Sequence, residues 1–339
     1  MKAAVFYGKR DLRIEEIKKP EPGYGEVLVR VRACGICGTD VHIFEGDEGA
    51  AKSPSGTVLG HEFAGEVVAV GEGTKRIRAG SRVCVDPNKL CGKCEYCLSG
   101  MGHFCSHMTG IGTTVNGGFA GYCAVPEEQA YSIPDSLTFE EAAMAEPLAC
   151  CLHGVDLCGI HPGDTAAIFG MGMIGLIMVR LARLSGAARI IAIEPVEAKR
   201  EQALGAGADI AVDPVNEDLE QVLSRNGVGR ISTVIECAGK IQCMEQALRI
   251  AGKKSVVMLF GLTKPDEVLP VMPFELFKKE VVIKASYINP YTQKRAISLL
   301  ESGCIDVKPM IHKTISLEEL PMVLGDASQR SRGKMIVSL

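Results

Sequence analysis

No apolar run in these 339 residues is long enough to cross a membrane. The longest strongly apolar one, Met173 to Val179, stops at Arg180, well short of the about 20 residues a spanning helix needs. A block of like charge is also missing. Lys and Arg total 37 against 41 Asp and Glu, a net charge of −4, so no basic field is present to attract nucleic acid. The opening MKAAVFYGKRDL lacks an apolar core of signal-peptide length. These absences predict a soluble, cytoplasmic protein with neither a membrane nor a nucleic-acid partner. In a reducing compartment the 14 cysteines then read as metal ligands or buried thiols rather than disulfides.

What is present is enough apolar material, 47% of the chain, for two cores. Up to about residue 148 the text is β-like. Short Val-rich runs at 2–6, 12–18, 26–33, 62–70, 82–86 and 119–125 are bounded by Gly and Pro turns, which suggests a small barrel or sandwich. From Thr165 strands alternate with helix-length stretches. Strands are expected at 165–169, 189–193, 210–212, 233–236, 255–260 and 281–285, with a helix at 241–251 among the intervening ones. That alternation predicts a doubly wound parallel sheet. The tail carries an amphipathic helix at 293–301 and returns to β-like text at 333–339. The expected domains are therefore 1–149, 150–288, and a tail, 289–339, that rejoins the first.

Three stretches carry chemistry. The first runs from Cys34 to Glu62 and gathers Cys37, Thr39, Asp40, His42, His61 and Glu62 into under 30 positions. Cys37 and His61 follow or open apolar strand-like runs, where a catalytic zinc with one open position is held rigidly. Cys34-Gly-Ile-Cys37 also has redox CxxC spacing, but no βαβ pattern accompanies it. Between the two candidate ligands, 47–57 reads either as a lid or as a surface excursion.

The second stretch places Cys91, Cys94, Cys97 and Cys105 within 15 residues, a closed four-thiolate structural zinc site. The iron–sulfur pattern of closely spaced cysteines continues with a shorter gap and a CP pair, which this chain lacks. In the third, Gly170-Met-Gly-Met-Ile-Gly175 follows a strand, opens a helix, and precedes Glu194 by nineteen residues counted from Gly175. This is the dinucleotide fingerprint in context. Gly170 allows the tight turn, Gly172 the approach of the pyrophosphate, and Gly175 close helix packing. Glu194 accepts hydrogen bonds from ribose hydroxyls and repels a 2′-phosphate, so NAD is expected over NADP. Lys199 and Arg200 lie nearby in sequence.

The order CGICGTDVH, GHE, the cysteine lobe, AEP and GMGMIG resembles the zinc-dependent medium-chain alcohol dehydrogenase family, in its sorbitol (polyol) and threonine dehydrogenase branch. The resemblance covers the whole chain. It implies a GroES-like β-barrel catalytic domain joined to a Rossmann domain, an active site in the cleft between them, and commonly a homotetramer, or else a dimer. It further implies two zinc ions per chain and NAD(P)-linked oxidation of a secondary alcohol. Cys37 and His61 match the catalytic zinc ligands, Glu62 the glutamate beside that histidine, and Glu146 the position where alcohol dehydrogenases carry a second cysteine. Thr39 and His42 match the proton relay. Ile174, Glu194 and Lys199 match cofactor contacts, and the turn holding Gly261 and Leu262 lies where relatives meet the nicotinamide half. Ile43 and Tyr287 occupy positions where sorbitol dehydrogenases carry other substrate-facing side chains. The activity implied is oxidation of a sugar alcohol or its phosphate to a ketone, with L-threonine 3-dehydrogenase or 2,3-butanediol dehydrogenase as the alternative.

Overall fold

The computed structural model describes residues 1–47, 52–330 and 332–339. Most of the Asp47-to-Thr57 stretch is described, but residues 48–51, on which its reading as lid or excursion turns, lie outside that set. The chain divides into two compact units, Met1–Ala149 with Asn289–Leu339, and Cys150–Ile288.

The first unit begins with strands β1 (Lys2–Gly8), β2 (Asp11–Glu16), β3 (Glu26–Gly35), β4 (Thr57–Val58), β5 (Glu62–Val70) and β6 (Arg82–Val85). It continues with β7 (Asn88–Lys89), β8 (Thr109–Gly110), β9 (Tyr122–Pro126) and β10 (Ala130–Ser132). The second unit holds β11 (Thr165–Phe169), β12 (Arg189–Ile193), β13 (Ile210–Val212), β14 (Thr233–Glu236), β15 (Val256–Leu259) and β16 (Val282–Ala285). The chain then adds β17 (Ile311–Ile315) and β18 (Lys334–Ser338) to the first unit.

Strand β3 organises the first unit. Along one edge it pairs with β5; along the other its first half pairs with β9 and its last three residues with β18. Side chains from these strands, Val27, Val29, Val31, Phe63, Val67, Met335 and Val337, meet in one core, as expected of alternating strands curled over a common interior. Hydrogen bonds pin the return segment there. Asn88 Nδ2 donates to Asn289 Oδ1 at 2.6 Å, and Thr292 Oγ1 donates to the Ala149 carbonyl at 2.7 Å.

In the second unit the six strands are all parallel, in the order β13-β12-β11-β14-β15-β16. Written by position in the sheet this is the 3-2-1-4-5-6 dinucleotide-binding order, whose ligand crevice opens where the order reverses, between β11 and β14. The fold class expected from the sequence is the one observed.

Some details differ from expectation. The run at 119–125 becomes a strand only from Tyr122; before it, buried Phe119 bonds through its amide to the Leu59 carbonyl and Ala120 makes an isolated bridge to Ala3. Strand β17 was not anticipated, since in Ile-His-Lys-Thr-Ile only the ends are apolar. Nor was the helix α1 (Gly38–Glu45), which begins with two poor helix formers. It starts because the Asp40 carboxylate accepts from the Cys37 amide at 2.8 Å, a capping arrangement that satisfies one end. Ile43, given a substrate-facing place by resemblance, is 3% exposed and packs into the barrel core.

Candidate active site

Cys37 is the N-cap of α1, two residues beyond the end of β3, and His61 directly precedes β5, which pairs with β3. The pairing brings one donor atom each of Cys37, His61 and Glu62 within 4.8 Å of one another. His61 Nδ1 lies 3.4 Å from Asp40 Oδ1, both groups being buried. A carboxylate beside one ring nitrogen is the usual way a ligating histidine is oriented, the other nitrogen then being left for a metal. Burial disfavours the imidazolium, but Asp40 and Cys37 together outweigh it and hold the His61 pKa well above its ordinary value. Thr39 Oγ1 lies 3.8 Å from Cys37 Sγ. His42 is three residues further along α1, on the same helix face; it is partly exposed, and its Nδ1 is 3.2 Å from Asp47. Glu146 is buried in the first turn of the helix Ala145–Cys158 but is not part of the three-donor group.

Two residues essential to this arrangement escaped the sequence reading. Asp40 carries one local signal, its spacing of three from Cys37, which marks the cap. Lys334, which opens β18, pairs with Glu62 inside the protein. Burial opposes its charge, yet Glu62 and Cys37 more than compensate and raise its pKa. A lone lysine at the head of an apolar strand carries no such signal. The redox reading of Cys34 finds no support in its surroundings: burial first, then Asp40 and Glu62, push its thiol well above the ordinary value, and thiolate is the reactive form.

The four lobe cysteines also come within 4.8 Å of one another. Cys91 Sγ and Cys97 Sγ are 3.9 Å apart, close to the about 3.8 Å edge of a tetrahedron with zinc–sulfur bonds of about 2.3 Å. Backbone N–H groups point at the sulfurs, from Cys94 to Cys91 at 3.3 Å and from Cys91 to Cys105 at 3.3 Å. The amides of Cys97 and Ser106 bring Cys94 down to about 6. Burial and the neighbouring thiols push Cys97 up to about 12, a conflict that a cation in their midst relieves. Both donor sets therefore fit zinc, one closed and all sulfur, the other mixed.

At the reversal point of the parallel sheet, Gly170 has φ +85° and Gly172 is the N-cap of the helix Met173–Leu184. A Cβ on Gly172 would meet nothing within 4 Å, whereas one on Gly175 would overlap the Gly170 carbonyl. The loop is thus open toward a phosphate and closed toward its own helix, which fits a dinucleotide. Ile174 is half-buried in the first turn of that helix. Glu194, at the end of β12, accepts from the Met171 amide at 2.8 Å and the Val196 amide at 3.1 Å. Each carboxylate oxygen keeps acceptor capacity for a ribose hydroxyl. Lys199 is half-buried near the start of the helix Glu197–Ala206, while Arg200 bonds the Glu194 carbonyl at 2.8 Å and pairs with Asp213 at 3.2 Å.

Glu236, which the sequence reading also passed over, ties the neighbouring loops together. Its carboxylate accepts from Ala238 and Gly239 at 2.8 and 3.0 Å, and its carbonyl accepts from Phe260 and Gly261. Leu262, beside Gly261, is exposed, and its carbonyl is where a Cβ on Gly239 would fall. An acid ending the otherwise apolar strand Thr233–Glu236 was the available clue.

Residues 23–135 match the alcohol dehydrogenase GroES-like domain, and residues 174–302 match the zinc-binding dehydrogenase domain. The chain is 33% identical to a sorbitol dehydrogenase of Bacillus subtilis (strain 168), over 97% of this chain and 94% of that one. The chain belongs to the zinc-binding medium-chain alcohol dehydrogenase family. Within this family it is also 30% identical to an L-threonine 3-dehydrogenase of Idiomarina loihiensis, over 100% and 99% of the two chains. A protein from Sinorhizobium meliloti 1021 described as a zinc-binding dehydrogenase, and solved bound to NADP, superposes with a TM-score of 0.96. The identity there is 39%, covering 100% of this chain and 99% of that one. The family and the polyol and threonine branch suggested by motif order are therefore the ones found, and membership places the chain among oxidoreductases. Among the described residues, no helix is long and apolar enough to cross a membrane.

Two outcomes follow from the geometry. Metal analysis should find two zinc ions per chain, the mixed-site ion removed first by mild chelation; Cys94→Ser should lower thermal stability more than it alters turnover, because closed sites contribute folding free energy. A single zinc after careful purification contradicts this. The second outcome concerns pH. Metal must displace the proton that Asp40 and Cys37 favour on His61, so affinity of the mixed site should fall as pH drops through the raised His61 pKa. Zinc titrations at pH 6 and pH 8 should show the tighter binding at pH 8, and equal affinities would contradict it.

Proposed function

We propose that this chain is a zinc-dependent, NAD-linked dehydrogenase that oxidises a secondary alcohol of a polyol, or of a polyol phosphate, to a ketone. The observation that carries the reading is the mixed trio of Cys37, His61 and Glu62 drawn together by the β3–β5 pairing. In this reading 1–149 and 289–339 form the catalytic domain, and 150–288 the cofactor domain. Cys37, His61 and Glu62 hold the catalytic zinc, with Glu146 retained as a further oxygen donor, and Cys91, Cys94, Cys97 and Cys105 hold the structural zinc. When bound, zinc supplies a Lewis acid that polarises the substrate oxygen, and the dinucleotide supplies the hydride acceptor.

The chain's own part is to orient groups and move a proton. Asp40 holds the His61 ring through Nδ1. Thr39 Oγ1, beside the Cys37 sulfur, takes the proton leaving the substrate hydroxyl. His42, one turn further and open to solvent, passes it on. Gly170, Gly172, Ile174 and Gly175 receive the pyrophosphate at a helix N-terminus, and Glu194 takes the adenosine ribose. Lys199 flanks that ribose, and Gly261 and Leu262 border the nicotinamide half. Because Arg200 is already engaged by Asp213 and two carbonyls, it is poorly available to a 2′-phosphate, which supports NAD over NADP. L-threonine or 2,3-butanediol oxidation is the second reading, favoured by the full-length similarity to a threonine dehydrogenase.

The substrate and relay are tested by NAD reduction on a panel of polyols, polyol phosphates, L-threonine and 2,3-butanediol. The highest kcat/KM is expected on a polyol or its phosphate, and a marked preference for L-threonine establishes the second reading instead. On the best substrate, Thr39→Val should lose about 10²–10⁴-fold in turnover, the usual worth of positioned proton transfer, while Thr39→Ser keeps most of it. Full activity in Thr39→Val refutes the relay.

Self-association is part of the same proposal. Strand β16 is a sheet edge with Val282 and Ile283 exposed, and nearby Met272, Phe274 and Phe277 are exposed as well. An uncovered apolar edge of this kind is suited to pairing with a second copy of the chain and supports that reading. Phe277→Glu should shift the mass measured by light scattering from dimer or tetramer toward monomer; a wild-type monomer at micromolar concentration contradicts this part.

A further inference from the structure

The ion pair between Lys334 and Glu62 joins residues 272 positions apart, and the two side chains are only 2% and 1% exposed. It is built across β3. Glu62 faces Gly35 from β5, and Ile336, two residues after Lys334, faces Gly35 from β18. A Cβ on Gly35 would collide with the Glu62 carboxylate and stand 2.7 Å from Lys334 Cε. The pair therefore occupies the space that a side chain at position 35 would fill, directly beside Cys37, Asp40 and His61. With a metal bound, Cys37 would ligate as thiolate, and with the carboxylates of Asp40 and Glu62 three negative charges would meet at this buried spot. A dication and the Lys334 ammonium together balance them; the dication alone does not.

We propose that Lys334 is a positioning residue of the metal site. It holds the Glu62 carboxylate by sharing it with the metal, and so sets the affinity of the Cys37–His61–Glu62 group for zinc. The proposal rests on the reading of that group as a metal site. With Lys334 in place, Glu62 divides its charge between ammonium and metal, which keeps the site less anionic and the ion more electrophilic. Without Lys334 a buried carboxylate is left with the metal as its one cationic partner. An unpaired buried charge is costly, so the apoprotein loses stability and the metal binds more tightly.

The test uses the full chain with its cysteine-lobe zinc in place, and reads the apparent zinc affinity of the second site by competition with a chelating dye, together with the melting temperature before and after zinc is added. Lys334→Met should lower the melting temperature without the second zinc by about 5 °C or more and tighten zinc binding at least tenfold. Lys334→Met/Glu62→Gln, which removes both charges, should recover the melting temperature and lose the tightening. Lys334→Arg, which keeps the cation, should bind zinc within about threefold of the unmodified chain. Unchanged or weaker zinc binding in Lys334→Met overturns the proposal, as does a double variant that fails to restore stability. If Lys334→Met does not fold, the double variant decides: folding supports the charge-balance role, and failure to fold overturns it. Cys37→Ser separates the two levels of the argument. Should it still bind two zinc ions with unmodified affinity, the metal site itself has been misassigned.

Discussion

Around Gly35 the first unit must bury several charges in very little space, and much of its architecture answers that requirement. Strand β3 accepts β5 on one edge and β18 on the other, so three segments from distant parts of the chain end at one place. Absence of a side chain at Gly35 leaves room for Glu62 and Lys334 to meet over the strand. On the near side, the Asp40 carboxylate closes the start of α1 through the Cys37 amide and reaches His61 with its other oxygen. Both carboxylates there have a partner, the Lys334 ammonium for Glu62 and the Cys37 amide for Asp40. A buried ionic cluster of this kind persists only when nearly every member is paired.

The same device recurs wherever this protein needs a shaped loop. Glu127 gathers the amides of Lys75, Arg76 and Ile77. Glu194 receives the amide of Met171 from the glycine loop, and Glu236 receives those of Ala238 and Gly239. A carboxylate accepting two or three backbone N–H groups fixes a turn without regular secondary structure. In the parallel sheet this matters for function, because two such turns border the crevice where β11 and β14 diverge. The loops that would touch a dinucleotide are thus held before any ligand arrives, which lowers the ordering cost of binding.

Much was legible in the sequence because it is local. Four cysteines within 15 residues have few ways to sit except around a common centre. A glycine loop between a strand and a helix carries its own geometry, and the six strands of the second unit announce themselves as short apolar runs between helical stretches. Elements whose formation depends on distant partners were less visible. Helix α1 is poor in helix formers and exists through a cap. Strand β17 has little alternation, and it forms by pairing with β18. Ile43 is drawn into a core that its neighbours in sequence do not reveal.

The sequence by itself determined the fold class, the family, the cysteine cluster and the glycine loop, since periodicity, spacing and glycine placement act over a few turns of chain. Only the tertiary structure decided which groups share a buried environment. It put donor atoms of Cys37, His61 and Glu62, but not of Glu146, within 4.8 Å of one another, and set Lys334 against Glu62 across 272 residues. The physical reason is that electrostatic partnership depends on distance and burial in space. Neither quantity is written in the identity of a lysine at the start of a strand.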